Sequence, residues 1–146
     1  VRENLFLIIL IAIIGGLYLM MKTVGSLYDR VIQKLAGLIQ EQEGYYEGSR
    51  SYRNNNPGNL VFANQLGNIG KDEKGFTIFP DYQTGYDALI RQLNAAFYGG
   101  SIFYNIHMTL YEFFALWDRT NPVAYAENIA AEFGVSADTK LEDLKV

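Results

Sequence analysis

The chain has 146 residues, enough for one core and not comfortably for two domains. A net charge of -4, the absence of cysteine and a single histidine exclude a nucleic-acid footprint, a disulfide framework, a thiolate nucleophile and a histidine-rich metal centre. The hydrophobic fraction of 49% against 19% charged is high for a small soluble protein, and the excess is local.

Residues 5–21 (LFLIILIAIIGGLYLMM) carry no charge over 17 positions. As a helix they give about 25 Å, and Asn4, Thr23, Val24 and the reach of Lys22 extend this to the roughly 30 Å of a hydrocarbon core. The expectation is a transmembrane anchor over residues 1–25 that meets the bilayer through residues 5–21. A signal peptide fits poorly, because Arg2 is followed by Glu3 and no Ala-x-Ala closes the run. A buried core helix of this length would need a larger protein around it. The positive-inside count leaves orientation open.

Residues 26–146 then read as one domain. Apolar side chains from Leu27 to Ile39 recur at three- and four-residue intervals, predicting an amphipathic helix over 26–43 with Gly25-Ser26 as the one break before it. Glu43 falls one turn beyond Ile39, on the stripe that faces the core, whereas Glu41 falls on the polar side. Gly44 stops the helix. Residues 44–75 are loop-dominated, with short strand signals at Leu60-Val61-Phe62 and Phe76-Thr77-Ile78-Phe79. Helical spacing resumes from Tyr82 to Phe97 and ends at Gly99-Gly100. Thr109 and Glu112 form a capping box for a helix from Leu110 to Trp117. Pro122 opens a last helix through Phe133, closed by Gly134, and the tail carries one more short helical turn. The fold class is mainly α (α+β), with a small β-hairpin.

The groups left for catalysis are carboxylates. Cleaving a glycosidic bond needs a proton on the leaving oxygen, and burial on an apolar stripe keeps a carboxyl protonated towards neutral pH. Glu43 has that setting; the alternative is a helix-end glutamate turned out into water. Asp72, Glu73 and Asp81 are the candidates for a second carboxylate, but the first two read as a solvated turn and Asp81 as a helix cap. A one-carboxylate mechanism is therefore expected, with internal attack by an acetamido group or a C6 hydroxyl. His107 reads as a surface residue. No cofactor or metal is expected. The segment Asn54-Asn55-Asn56-Pro57-Gly58-Asn59-Leu60 either closes a turn or presents amides to sugar hydroxyls, and Tyr45, Tyr46, Tyr52, Tyr82, Tyr86 and Tyr125 offer aromatic faces to sugar rings.

Three strings carry a resemblance: Gln42-Glu43-Gly44, the Arg53 to Leu60 string, and Phe79-Pro80-Asp81-Tyr82-Gln83-Thr84-Gly85-Tyr86-Asp87-Ala88-Leu89. From about Ile32 onward the chain resembles the lysozyme-like, lytic-transglycosylase-related domains of bacteriophage virion proteins and endolysins. The resemblance implies that Glu43 is the catalytic acid, that Asn56, Asn59 and Tyr125 lie near the sugar chain, and that peptidoglycan is cut between N-acetylmuramic acid and N-acetylglucosamine; Tyr82, from the aromatic faces above, is expected as a further substrate contact. It leaves hydrolysis and 1,6-anhydro formation both open. It implies a single-pass protein of a phage's internal membrane or of the host cell membrane, with glycan strands, lipid and other virion membrane or capsid proteins as partners and no nucleic acid. The alternative is a virion protein that binds the wall or serves structurally, keeping this fold without turnover. Two features depart from soluble relatives: the attached span and the aromatic-rich stretch from Phe97 to Tyr111.

Overall fold

One helix, α1 (Arg2–Gln42), runs unbroken from the apolar segment into the folded body of the computed structural model. The structure describes the backbone of residues 2–146 and the side chains from Ile8 onward, so the side chains of residues 5–7 of the expected span lie outside the described residues. Gly25-Ser26, expected as a break, interrupts nothing. Glycine weakens a helix interior by only about 1 kcal/mol, and the turns on both sides continue through it. Residues 8–24 are exposed throughout, and no part of the apolar window is buried. An unburied apolar helix of this length is what a single membrane span or a signal sequence presents.

Burial starts where the amphipathic pattern starts. Val31, Ile32, Leu35, Ala36 and Ile39 are each at most 1% exposed. Fully burying such side chains stabilises by about 1.5–3 kcal/mol each, which makes this half of α1 the spine of the core. Two helices pack on it, α3 (Tyr82–Phe97) and α5 (Pro122–Phe133), and α5 pairs in turn with α4 (Leu110–Trp117). α3 runs antiparallel to α1: the Tyr82 hydroxyl donates to Gln40, the Tyr86 hydroxyl to Gln33, and the Tyr98 hydroxyl reaches Gly25 and Asp29.

The expected caps are present. Asp81 accepts from the Thr84 amide, Thr109 and Glu112 form the reciprocal capping box, and Gly134 adopts the left-handed conformation after α5. The tail forms a short 3-10 turn at Leu141–Asp143 that buries Leu141 and Leu144.

The loop-rich segment departs more from expectation. It contains a short unanticipated helix, α2 (Arg50–Arg53), capped by Ser49. The hairpin is β1 (Gly70–Lys71) against β2 (Thr77–Ile78), antiparallel, with Gly70 opposite Ile78. Val61 contributes only an isolated bridge to Phe76, so the Leu60-Val61-Phe62 string flanks the hairpin without being its first strand. Asp72 closes the turn by accepting from the Lys74 and Phe76 amides, which leaves it structural.

Candidate active site

Glu43 caps the C-terminus of α1. Its amide still bonds to the Ile39 carbonyl at 2.8 Å, and Gly44 then turns left-handed at φ 65°. The Gly44 amide returns to Glu41 and the Tyr45 amide to Gln40, a Schellman closure that only a residue tolerant of positive φ permits at position 44. Ser51 of α2 donates to the Gly44 carbonyl at 3.2 Å and clamps the same turn. The carboxyl is thereby held at the negative end of a long helix, where the macrodipole disfavours its charged form.

Both carboxyl oxygens are engaged by neutral donors. Asn59 Nδ2 donates to Oε2 at 3.0 Å, and the Tyr125 hydroxyl donates to Oε1 at 3.1 Å. Among the described residues no cation forms a salt bridge with Glu43. Burial pushes the carboxyl above its ordinary range. The bonds from Asn59 and Tyr125 oppose that rise, the negative charge of Asp118 adds to it, and the Trp117 side chain opposes it more weakly. Each oxygen keeps a second lone-pair position, so a proton can face the open side.

That open side is a cleft of about 1160 Å³. Asn59, Arg50, Phe62 and Phe76 line the hairpin side; Gln92 and Ala95 of α3, the 100–104 loop and the segment from Leu116 to Thr120 line the other. The volume exceeds the roughly 300–1,000 Å³ typical of small-molecule sites, as an extended ligand would require.

The five residues expected at the site separate. Glu43, Asn59 and Tyr125 come together. Tyr125 is 5% exposed and stacks on Phe114 at 4.4 Å between ring centroids, so it positions Glu43 from within the core instead of offering a face to a sugar. Burial and the neighbouring Glu43 also push its phenol far up, which keeps it a donor.

Asn56 is a correction. It is fully buried, donates to the Leu60 and Thr77 carbonyls and accepts from the Leu60 amide, so its amide is spent on tying the turn to the hairpin. Asn54 and Asn55 likewise serve the turn, donating to Asp72 and to the Phe79 carbonyl. Of the asparagine run only Asn59 reaches the cleft, from a backbone at φ 47° that asparagine tolerates. Arg50 Nε donates to Asn59 Oδ1 at 3.3 Å and turns the amide nitrogen toward Glu43.

Tyr82 is exposed, and its ring packs against Tyr45 and Tyr86 outside the lining of this cleft. His107 is exposed, with Nδ1 3.0 Å from Glu142, away from the cleft.

Asp118 was not among the sequence candidates. It lies just past α4, accepts from the Thr120 amide at 2.8 Å and lines the cleft, where its charge acts on Glu43. The capping box at Thr109 fixes where α4 begins, and counting turns to Trp117 would have placed a carboxylate at its end, though not beside Glu43. Comparison with protein-family models, curated proteins and solved structures found no match to this chain.

Proposed function

We propose that this chain is a membrane-anchored enzyme that cleaves the β-1,4 bond between N-acetylmuramic acid and N-acetylglucosamine in peptidoglycan, with a lysozyme-like, lytic-transglycosylase-related domain. The observation that carries the reading is Glu43: a half-buried carboxyl with raised pKa, held by two neutral donors and open to a long cleft. A structural glutamate in such a place would be expected to pair with a cation.

In this reading the protonated Glu43 donates to the glycosidic oxygen as the bond from C1 of the muramic acid breaks, releasing the 4-hydroxyl of the departing glucosamine. Positive charge develops at C1, and Asp118, held on the same cleft, is of the right sign to stabilise it. Glu43, now a carboxylate, takes the proton from the oxygen that attacks C1. Attack by the C6 hydroxyl of the same sugar gives a 1,6-anhydro end; attack by water gives a reducing end. No metal or cofactor enters either route.

The apolar helix is read as a span in the internal membrane of a phage virion or in the host cell membrane, for local wall opening during infection or release. The bare and packed halves of α1 form one continuous helix, which supports this reading by joining the domain directly to the apolar segment. Incubating purified sacculi with the full chain in lipid vesicles and analysing the soluble muropeptides by mass spectrometry tests the activity. Disaccharide products are expected, and the mass difference of one water separates the two routes. Intact sacculi with glycan bound to the protein would instead favour a wall-binding virion protein.

A further inference from the structure

The C-terminal end of α3 lies level with the point where the bare apolar helix enters the folded body. The Tyr98 hydroxyl sits 2.8 Å from the Gly25 carbonyl and 2.7 Å from Asp29 Oδ1, and Gly25 is the first partly buried residue of α1 after the exposed stretch. Gly99 and Gly100 then adopt φ of 87° and 111°, and the Ser101 amide bonds back to Ala95 at 3.3 Å. The turn projects Ile102 and Phe103, which are 90% and 66% exposed. The Ser101 hydroxyl accepts from the amides of Phe103 and Tyr104, so the projection is built rather than loose.

An isoleucine held in water forfeits the stabilisation that burial would give. Two adjacent apolar side chains thus stand on a fixed turn only a few residues past Tyr98, which is itself tied to α1 where its bare stretch ends. Tyrosine at the level of Tyr98 suits the bilayer–water boundary, and Lys22 lies within one helical turn of Gly25, with reach to the headgroups.

We propose that the 99–103 loop is a second membrane contact, with Ile102 and Phe103 entering the interfacial layer of the bilayer that α1 crosses. The inference rests on reading residues 5–21 as a membrane span. A single helix leaves the domain free to rotate about its axis; a second contact removes that freedom. Because Gly100, Ser101, Ile102 and Phe103 also line one end of the cleft, docking the loop aims that end at the bilayer. Glycan would then reach Glu43 from wall lying against the membrane.

The chain has no cysteine, so single substitutions carry a single label. Ile102→Cys, Met20→Cys and Tyr46→Cys, each in the full chain in lipid vesicles, are labelled with an environment-sensitive fluorophore and challenged with nitroxide-bearing lipids. Met20 samples the apolar helix, and Tyr46, 67% exposed, lies past the opposite end of the packed half of α1. Quenching at Ile102→Cys by a shallow nitroxide, several-fold above that at Tyr46→Cys, is expected. Quenching at Met20→Cys with none at Ile102→Cys overturns the loop contact and leaves the anchor standing. No quenching at either position overturns the anchor and the loop together, and equal quenching at Ile102→Cys and Tyr46→Cys also counts against the loop.

Discussion

The Tyr125 hydroxyl donates to Glu43 Oε1 at 3.1 Å, although the two residues lie 82 positions apart in the sequence. The bond joins the end of α1 to α5 across the core and sets which way the carboxyl faces. Because it stabilises the charged form, it also tempers the rise that burial imposes on Glu43.

Tyr125→Phe keeps the ring stacked on Phe114 and removes only the hydroxyl. Stability should fall by about 1 kcal/mol and the cleavage rate by roughly tenfold. The general acid works only while protonated, so activity declines as pH rises through the Glu43 pKa. Losing a bond that lowers that pKa moves the decline to higher pH, which a pH–rate profile on soluble glycan strands reads directly.

Asp118→Asn should act in the opposite direction. The negative charge of Asp118 raises the Glu43 pKa, so its removal moves the alkaline decline to lower pH. Asparagine retains an oxygen to accept from the Thr120 amide, so melting temperature should change little. A profile unmoved from wild type would mean that Asp118 does not act on Glu43.

Asn59 can be tested with two substitutions that differ in backbone tolerance. Asn59→Gly accepts φ 47° and removes the amide that donates to Glu43 Oε2, so cleavage falls with the backbone undisturbed. Asn59→Ala should lose the same activity and a further 1 kcal/mol or so of stability from left-handed strain. Equal denaturation midpoints for the two would contradict this account of the turn.

Asn56→Ala leaves the Leu60 amide and the Thr77 carbonyl unpaired in the core, while the Leu60 carbonyl keeps its bond from the Thr77 amide. Each buried orphan costs about 1–3 kcal/mol, so the loss should be roughly 3 kcal/mol or more. Calorimetry should show a drop in Tm of about 10 °C. A raised KM with an unchanged Tm would instead make Asn56 a sugar ligand.

How much of this was legible in the sequence differs by element. α3, α4 and α5 declare themselves through apolar periodicity closed by Asp81, Thr109 with Glu112, and Gly134, all local signals that tertiary contacts reinforce. Glu43 is legible for the same reason, since helix phase carries it onto the core side. The four asparagines are chemically identical, and only the packed turn makes Asn56 structural while Asn59 faces the cleft. Nor does periodicity reveal that Asp118 meets Glu43, because that meeting depends on how α4 and α5 dock on α1. Two-residue strands are too short for alternation to register, so the sequence pattern points to the Val61 string as a strand where the structure pairs Gly70 with Ile78.

The most direct test is the release of muropeptides from purified sacculi by Glu43→Gln beside wild type, both shown to be folded by circular dichroism. Glutamine can accept from Asn59 through its oxygen and donate to the Tyr125 oxygen through its nitrogen, so the substitution removes the acid and spares the fold. Wild type is expected to release disaccharide muropeptides and Glu43→Gln none. Release by Glu43→Gln at the wild-type rate would contradict the assignment of Glu43 as the catalytic acid.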